Sequence, residues 1–369
     1  MKVVVAGGGT TGHLSPGLAV ADELRRRDAE VTFVGSSRGP EARIVPASGY
    51  PFHGVRVLGR GRTMLSFRNA AALGMLGVAT LRCAWVLARF RPDAVLGTGG
   101  YASLPAVLAA KALRIPLALH EQNSVPGLAN RVAFRFAARV GVSFSGTERQ
   151  LGPAAVLVGN PVRSVLHNFD KSQLAARGRE EFGLTPDRPT VLVFGGSQGA
   201  RSLNQVIIEA YDLWRDSEVQ VLHLCGPKNF EVVDERIASN KLAGDTLVHR
   251  VVGYTDSMEM AYACSDVALC RSGASTVAEL AAVGLPAVLV PLPISLDDDQ
   301  RKNAEAVVEV GGGKLVMDCD LEPKAVVEVL TNLLADPDGL RVMSESIGSL
   351  HRPHAAQDMA DLVSEIAGR

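Results

Sequence analysis

Apolar residues along the chain gather in short runs, set between glycine-rich turns and longer stretches of helical spacing. The run Val3–Ala6 is followed by GGGTTGHLSP and then by Leu18–Arg27, where apolar positions recur with a helical period. That order predicts a strand, a glycine-rich turn and a helix. Val31–Val34, Asp93–Leu96 and Leu117–His120 read as further strands. Thr190–Phe194 opens a second series, with the run VLVF, the turn GGSQGARSLNQ and another helical stretch. Val219–Leu224, Val267–Leu269 and Ala287–Val290 continue it. Strands alternating with helices need crossover connections, and these produce a parallel sheet. The pattern therefore predicts an α/β chain of two Rossmann-like, doubly wound halves, changing over near Gly159–Arg163. Ala355–Ile366 has a helical period, which by itself assigns it to neither half.

A length of 369 residues agrees with two domains. Hydrophobic residues at 47% and charged residues at 21% exclude a wholly disordered protein. A formal net charge of −1 excludes a strongly basic nucleic-acid binder, and 5% aromatics leave little for a base-stacking platform, so no nucleic-acid partner is expected. The cysteines Cys83, Cys225, Cys264, Cys270 and Cys319 are scattered, with no C-x-x-C pair, which predicts neither a disulfide framework nor a metal site. The first residues run straight into the first strand without the apolar core of a signal peptide, so a reducing, cytosolic setting is expected.

Between Val55 and Pro92 stand Arg56, Arg60, Arg62, Arg68, Arg82, Arg89 and Arg91, with no Asp or Glu. Within this stretch Ala70–Leu81 is uncharged and mostly apolar, too short to span a bilayer of about 20 apolar residues. An apolar face rimmed by arginine suits a helix lying on an anionic leaflet. A crossover helix packed on the sheet with its arginines in water is the other reading.

Gly7-Gly8-Gly9-Thr10-Thr11-Gly12 fits G-x-G-x-x-G between a strand and a helix, where backbone N–H groups and the helix dipole favour phosphate. A dinucleotide site also wants an acidic residue at the end of the second strand, and that strand here ends Val34-Gly35-Ser36-Ser37-Arg38. His13 sits just inside the helix, facing whatever the turn binds. Gly195–Ala200 lacks the Lys-Ser/Thr of a Walker loop, so ATP is not predicted. Gly97–Tyr101 is a third such turn, and several turns of this kind point to more than one phosphorylated ligand. Cys270–Glu279 reads as a loop feeding a helix. Backbone N–H groups around Gly273–Thr276 would cradle a diphosphate, and Glu279, one turn further in, could accept from the vicinal hydroxyls of a ribose. A Thr276–Glu279 capping box is the alternative. His120-Glu121-Gln122-Asn123 leaves a strand as four polar residues, and Asn123 is the one expected to face the ligand.

Taken together, GGGTTGHLSPGLAVADEL, GTGGYASLPAVLAA, LHEQNSVPG, GNPVR, GGSQGARSLN and CRSGASTVAELAAVGLPAVLVPLP, with Gln300 and Asn303 behind them, resemble the MurG family of glycosyltransferases. The motifs run in the family's order from residue 7 to residue 303. The resemblance implies a GT-B fold with an N-terminal acceptor- and membrane-binding domain at 1–163, a C-terminal UDP-sugar domain at 164–343, and a terminal helix at 344–369 crossing back to the first domain. It implies transfer, with inversion, of N-acetylglucosamine from UDP-N-acetylglucosamine to the C4 hydroxyl of polyprenyl-diphosphate-linked muramoylpentapeptide, at the cytoplasmic face of the plasma membrane. No cofactor and no metal are implied. Carried over by position, Glu279 would hold the ribose, and Ser272, Gly273, Ala274, Ser275, Thr276 and Ser197 the donor diphosphate. Gln300 would meet the sugar hydroxyls and the backbone at Thr255 the uracil, with Asn123 and Arg163 completing the donor site. Thr10, Thr11, Gly12 and His13 would line the site from the first domain, and Gly99, Gly100 and Tyr101 would hold the acceptor diphosphate. The Ala70–Leu81 segment falls where the family docks on the membrane. Asp299 stands where the family often has His or Gln, and Thr11 where some members have glycine.

Such a transfer needs a base for the acceptor hydroxyl, for which His13 is the first candidate and Glu121 the second. The competing readings are an NADP-dependent oxidoreductase using the first turn and Arg38, a UDP-sugar epimerase of the same architecture, and a non-catalytic membrane scaffold.

Overall fold

The computed structural model describes residues 1–57, 67–293 and 298–368, with the side chains of 67–73 outside the description. It comprises two units, Met1–Arg163 with Arg352–Arg369, and Ser164–His351. The first unit holds β1 (Lys2–Ala6), β2 (Glu30–Ser36), β3 (Phe52–Val55), β4 (Ala94–Gly97), β5 (Leu117–Glu121), β6 (Arg139–Val142) and β7 (Ala155–Leu157). All pair in parallel, in the order β3-β2-β1-β4-β5-β6-β7. The second holds β8 (Thr190–Phe194), β9 (Gln220–Leu224), β10 (Val248–Val252), β11 (Val267–Cys270), β12 (Ala287–Leu289) and β13 (Gly313–Leu315). These are also parallel, in the order β10-β9-β8-β11-β12-β13. In each sheet the winding reverses between the first strand and the fourth, β1 beside β4 and β8 beside β11, and the turns after those strands lie where such folds bind ligands.

The central strands are apolar on both faces because both faces are covered. Val3 and Val5 pack with Leu14, Val20 and Leu24 of the helix Thr11–Arg26, while Val4 and Ala6 face Cys83, Val86 and Leu87 of the helix Phe67–Phe90. The terminal helix Ala355–Ile366 brings Met359, Ala360 and Val363 into the first of these clusters, beside Leu96 and Ala118. Met359 and Val363 each contribute roughly 1.5–3 kcal/mol by burial, so this helix is part of the first unit's core. The helix Pro337–Gly348 packs on the helices Ala274–Val283 and Pro323–Leu334, and the second unit accordingly runs on to His351 rather than ending at 343.

Strands β3, β7, β10 and β13 were not expected from the pattern, and all four are sheet edges. Their sequences FHGV, AVL, VHRVV and GKL are short or carry polar residues, as edges generally do. The inner strand β6, RVGV, was hidden by its Arg and Gly. The first helix begins at Thr11, which places His13 just inside it as expected, although Pro16 and Gly17 mask the helical period before Leu18.

Among the described residues no helix is long and apolar enough to cross a membrane. On the helix Phe67–Phe90 the stripe Ala79, Cys83, Val86, Leu87 is buried, while Val78, Leu81 and Trp85 are 69%, 73% and 63% exposed. Arg82 and Arg89 stand exposed beside them, Arg89 over the Trp85 ring at 5.8 Å. The helix is therefore packed on the sheet by one face and leaves an apolar face with arginines exposed on the other. The apolar face extends to Trp85, past Leu81, and Arg60, Arg62 and the side chains of Arg68 and 70–73 lie outside the described residues.

His223 is fully buried in the second unit, its Nε2 3.0 Å from Asn204 Oδ1 and its Nδ1 3.4 Å from His249 Nε2. Burial pushes His223 down to about 3, and burial beside a second imidazole holds His249 well below the usual histidine range. Both are neutral in the folded chain and protonate only after unfolding, so stability is full above the unfolded value of about 6.5 and declines as pH falls below it. Denaturant unfolding at pH 5.5 is expected to show a loss of about 1 kcal/mol for each such histidine relative to pH 7.5. A His223→Gln variant should flatten that dependence; an unchanged slope would show that His223 titrates normally.

Candidate active site

In the first unit β1 and β4 end side by side. The turn after β1 leads into the helix Thr11–Arg26, whose N-cap Thr10 is exposed and makes no side-chain bond back to the helix. The turn after β4 closes onto it. Gly100 has φ +73°, and a Cβ there would lie 2.3 Å from Gly8 O and 2.9 Å from His13 Cδ2. Only glycine lets the two turns close around the His13 ring. Tyr101 covers Gly9 from outside, with its Cε1 2.8 Å from where a Gly9 Cβ would sit.

Buried polar groups support this arrangement from behind. His13 Nδ1 lies 3.1 Å from Gln122 Oε1. Gln122 Nε2 donates to Thr98 O at 2.8 Å and lies 3.0 Å from His120 Nδ1, while His120 Nε2 is 2.9 Å from Gly159 O. Burial pushes His120 down to about 4, so it is neutral at ordinary pH. Glu121 is buried too, and its carboxylate accepts the backbone N–H groups of Asn123 and Gly127, each at 3.0 Å, and Asn130 Nδ2 at 2.8 Å. Desolvation raises its pKa against the opposing pull of these donors. The Glu121 carboxylate thus holds the turn 122–130 in shape, and taking a substrate proton would cost those bonds.

Glu41 changes the reading of the first glycine turn. It is fully buried and accepts Gly9 N–H through both carboxylate oxygens at 3.1 Å, and Ser36 N–H at 2.7 Å. In a dinucleotide site the backbone N–H groups of this turn meet a diphosphate. Here a carboxylate already occupies the Gly9 N–H and would repel one. The NADP reading fails at this point, and Arg38 donates its backbone N–H to Ser36 Oγ at 3.2 Å.

In the second unit the turn after β8 is held against the end of β9. Gly199 has φ +72°, and a Cβ there would lie 1.9 Å from Cys225 O, which also accepts Asn204 Nδ2 at 2.9 Å and Asn229 Nδ2 at 2.8 Å. The helix Ala274–Val283 follows β11 with Gly273 as its N-cap and no side-chain cap bond. Thr276 is therefore inside the helix, and no Thr276–Glu279 capping box exists. Glu279 Oε2 accepts the Tyr262 hydroxyl at 2.7 Å. Ser272 is fully buried, its O accepting Asn303 Nδ2 at 3.2 Å and its Oγ without a hydrogen-bond partner among the described residues. Arg271 ties the strand ends together. Nη1 reaches Asp318 Oδ1 at 2.6 Å and the carbonyls of Val290 and Pro291 at 3.2 and 3.0 Å, and Nη2 donates to Ser202 Oγ at 2.7 Å. Gln300, in the first turn of the helix Asp299–Glu309, accepts Leu292 N–H through Oε1 at 3.0 Å. Asp299 accepts the Gln300 N–H at 2.8 Å, a local bond at the helix start.

Of the residues singled out in the sequence, Thr10, Thr11, Gly12, His13, Gly99, Gly100, Tyr101, Glu121, Asn123 and Arg163 belong to the first unit. Ser197, Thr255, Ser272, Gly273, Ala274, Ser275, Thr276, Glu279 and Gln300 belong to the second. His13 and the 99–101 turn are brought into contact, as are Ser272 and the 273–276 helix start. Glu41, His120, Gln122 and Arg271 were missed as supports. His120 and Gln122 lie in the polar cluster 120–123, where Asn123 was the residue expected to face the ligand, and Arg271 lies in the Cys270–Glu279 stretch; Glu41 has no local signal. Removing a buried guanidinium strands its carboxylate, so Arg271→Ala should destabilise the second unit by about 3 kcal/mol. Denaturant unfolding checks this, and a loss under about 1 kcal/mol would show that the network is dispensable.

Comparison with known proteins covers nearly the whole chain. Residues 3–142 match the glycosyltransferase family 28 N-terminal domain and residues 190–363 the family 28 C-terminal domain. The UDP-N-acetylglucosamine–N-acetylmuramyl-(pentapeptide) pyrophosphoryl-undecaprenol N-acetylglucosamine transferase of Nocardioides sp. is 43% identical over 99% of this chain and 98% of its own. The protein of that name from Saccharopolyspora erythraea is 44% identical over 100% of this chain and 95% of its own. The crystal structure of Acinetobacter baumannii MurG superposes with a TM-score of 0.77 at 29% identity, covering 99% of both chains. A UDP-GlcNAc 2-epimerase from Neisseria meningitidis superposes at 0.68 with 17% identity, covering 99% of this chain and 100% of that one, a likeness of fold alone. With its two doubly wound units, the chain belongs to glycosyltransferase family 28, in the MurG family of N-acetylglucosamine transferases.

Proposed function

We propose that this chain transfers N-acetylglucosamine from UDP-N-acetylglucosamine to the C4 hydroxyl of undecaprenyl-diphospho-muramoylpentapeptide, with inversion at the anomeric carbon. One observation carries the donor half of this reading. The helix Ala274–Val283 starts at a winding reversal with a glycine cap, and Glu279 stands one turn inside it. Its first-turn N–H groups carry roughly half a positive charge between them, placed to meet a departing diphosphate. Ser197, Ser272, Ser275 and Thr276 would serve the diphosphate and Glu279 the ribose. Gln300 would meet the sugar hydroxyls, Thr255 the uracil, and Asn123 and Arg163 would complete donor recognition. Thr10, Thr11 and Gly12 would add donor contacts, and Gly99, Gly100 and Tyr101 would take the acceptor diphosphate.

In the displacement the acceptor oxygen forms a bond to the anomeric carbon as the bond to the donor phosphate oxygen breaks. The electron pair leaves with UDP, and the hydroxyl proton passes to His13. Glu121 is the weaker choice of base because its carboxylate is already occupied by Asn123, Gly127 and Asn130. The exposed face Val78, Leu81, Trp85 with Arg82 and Arg89 would seat the enzyme peripherally on the anionic cytoplasmic leaflet, where its lipid-linked acceptor lies.

UDP release should require both the sugar nucleotide and a short-chain polyprenyl-diphosphate muramoylpentapeptide, with a disaccharide product by mass. Release without acceptor would favour an epimerase, and none from folded protein a scaffold. His13→Ala should lower kcat by about 10²-fold, and a fall of less than about fivefold at saturating substrates would place the base elsewhere. Trp85→Glu should weaken binding to anionic vesicles by about tenfold while leaving turnover of a water-soluble acceptor intact. Equal vesicle binding would remove this helix as the membrane face.

A further inference from the structure

We propose that Gln122 and His120 are positioning residues that fix the proton of neutral His13 on Nδ1 and leave Nε2 bare to receive the acceptor proton. This rests on the reading of His13 as the base.

The argument starts from two backbone carbonyls, which can only accept. Gly159 O lies 2.9 Å from His120 Nε2, so that nitrogen carries the hydrogen. His120 is buried and neutral, and its Nδ1 is therefore an acceptor. Thr98 O lies 2.8 Å from the Gln122 amide nitrogen, and His120 Nδ1 lies 3.0 Å from it. The two amide hydrogens meet these two acceptors. Turning the amide over would set its oxygen against the Thr98 carbonyl and the bare His120 nitrogen, with no hydrogen between either pair. The Gln122 oxygen must then face His13, 3.1 Å from Nδ1. An amide oxygen only accepts, so His13 Nδ1 is the donor and Nε2 holds the lone pair.

Every link is internal to the first unit, and Gln122, His120 and Thr98 are all buried. The chain of bonds runs from the Gly159 carbonyl to the ring of His13 without any charged member. It does for His13 what a carboxylate does in a Ser-His-Asp triad, setting tautomer and orientation, but without adding a negative charge. Once His13 takes a proton, the Nδ1–H bond to Gln122 remains in place, so nothing behind the ring needs to move during transfer.

The decisive measurement is a nitrogen-15 histidine correlation spectrum of the full-length enzyme at a pH where the imidazoles are neutral, with His13→Gln and His120→Gln used for assignment. The expected result is an Nδ1–H tautomer at His13 and an Nε2–H tautomer at His120. Gln122→Leu should lower kcat by about tenfold or more with KM for UDP-N-acetylglucosamine within about twofold, and should let His13 sample both tautomers. Gln122→Glu keeps an acceptor oxygen towards His13 and should restore the Nδ1–H signature, but its second oxygen meets Thr98 O and His120 Nδ1 without a hydrogen for either, so kcat should recover only in part. An Nε2–H tautomer at His13 in the wild type overturns the proposal even if every Gln122 variant fails to fold. So does a Gln122→Leu enzyme with wild-type kcat when His13→Ala has lost it. If His13→Ala itself keeps turnover, the assignment of the base falls, while the spectrum still decides the tautomer separately.

Discussion

A parallel strand ends by leaving its next carbonyls and N–H groups to find partners outside the sheet, and each unit is built around how those groups are satisfied. In the first unit Thr98 O and Gly159 O take side-chain donors from Gln122 and His120. In the second Cys225 O takes Asn204 and Asn229, and Val290 and Pro291 take Arg271. These bonds are buried, where an unmade one costs about 1–3 kcal/mol, so the turns they hold keep one geometry. The residues facing a ligand inherit that geometry. His13 is placed by partners behind it, and the start of the helix Ala274–Val283 is placed by Arg271 and Asn303, neither of which the chemistry requires.

The two units differ in the sign of what they bury. Behind the turns of the first lie two carboxylates, Glu41 and Glu121, each spent on backbone N–H groups. Beside the site of the second lies a buried guanidinium, Arg271, balanced by Asp318. Backbone N–H groups answered by a carboxylate no longer attract phosphate. N–H groups of a glycine-capped helix with a cation nearby do. This asymmetry favours the second unit for the nucleotide, although both carry glycine-rich turns that look alike as sequence.

How far the sequence could be read follows from the same division. Central strands such as VVVA and TVLVF announce themselves because burial on both faces demands continuous apolar residues. Edge strands such as FHGV and GKL do not, since one side of their ladder is open and polar residues cost little there. Glycine turns were readable because positive φ and close approach restrict the residue type, as at Gly100 and Gly199. Glu41 was not, because a single carboxylate bonding a turn 32 residues earlier has no local pattern to betray it. In HEQN the polar cluster was visible but its division of labour was not. Asn123 attracts notice beside a turn, while the burial that makes Gln122 the neighbour of His13 belongs to tertiary packing.

The first glycine turn shows why a fingerprint underdetermines its ligand. G-x-G-x-x-G encodes the shape of a backbone that passes from strand to helix with little steric cost. Whether its N–H groups face solvent, a diphosphate or a protein carboxylate is decided by a residue elsewhere, here Glu41 at the start of the helix Glu41–Ala47. With that anion in place the turn ceases to be a nucleotide cradle and becomes a rigid wall against which Gly100 and His13 pack. A fold shared with dinucleotide enzymes has thereby been turned to holding an imidazole, while the helix start after β11 in the other unit has Gly273 as its cap.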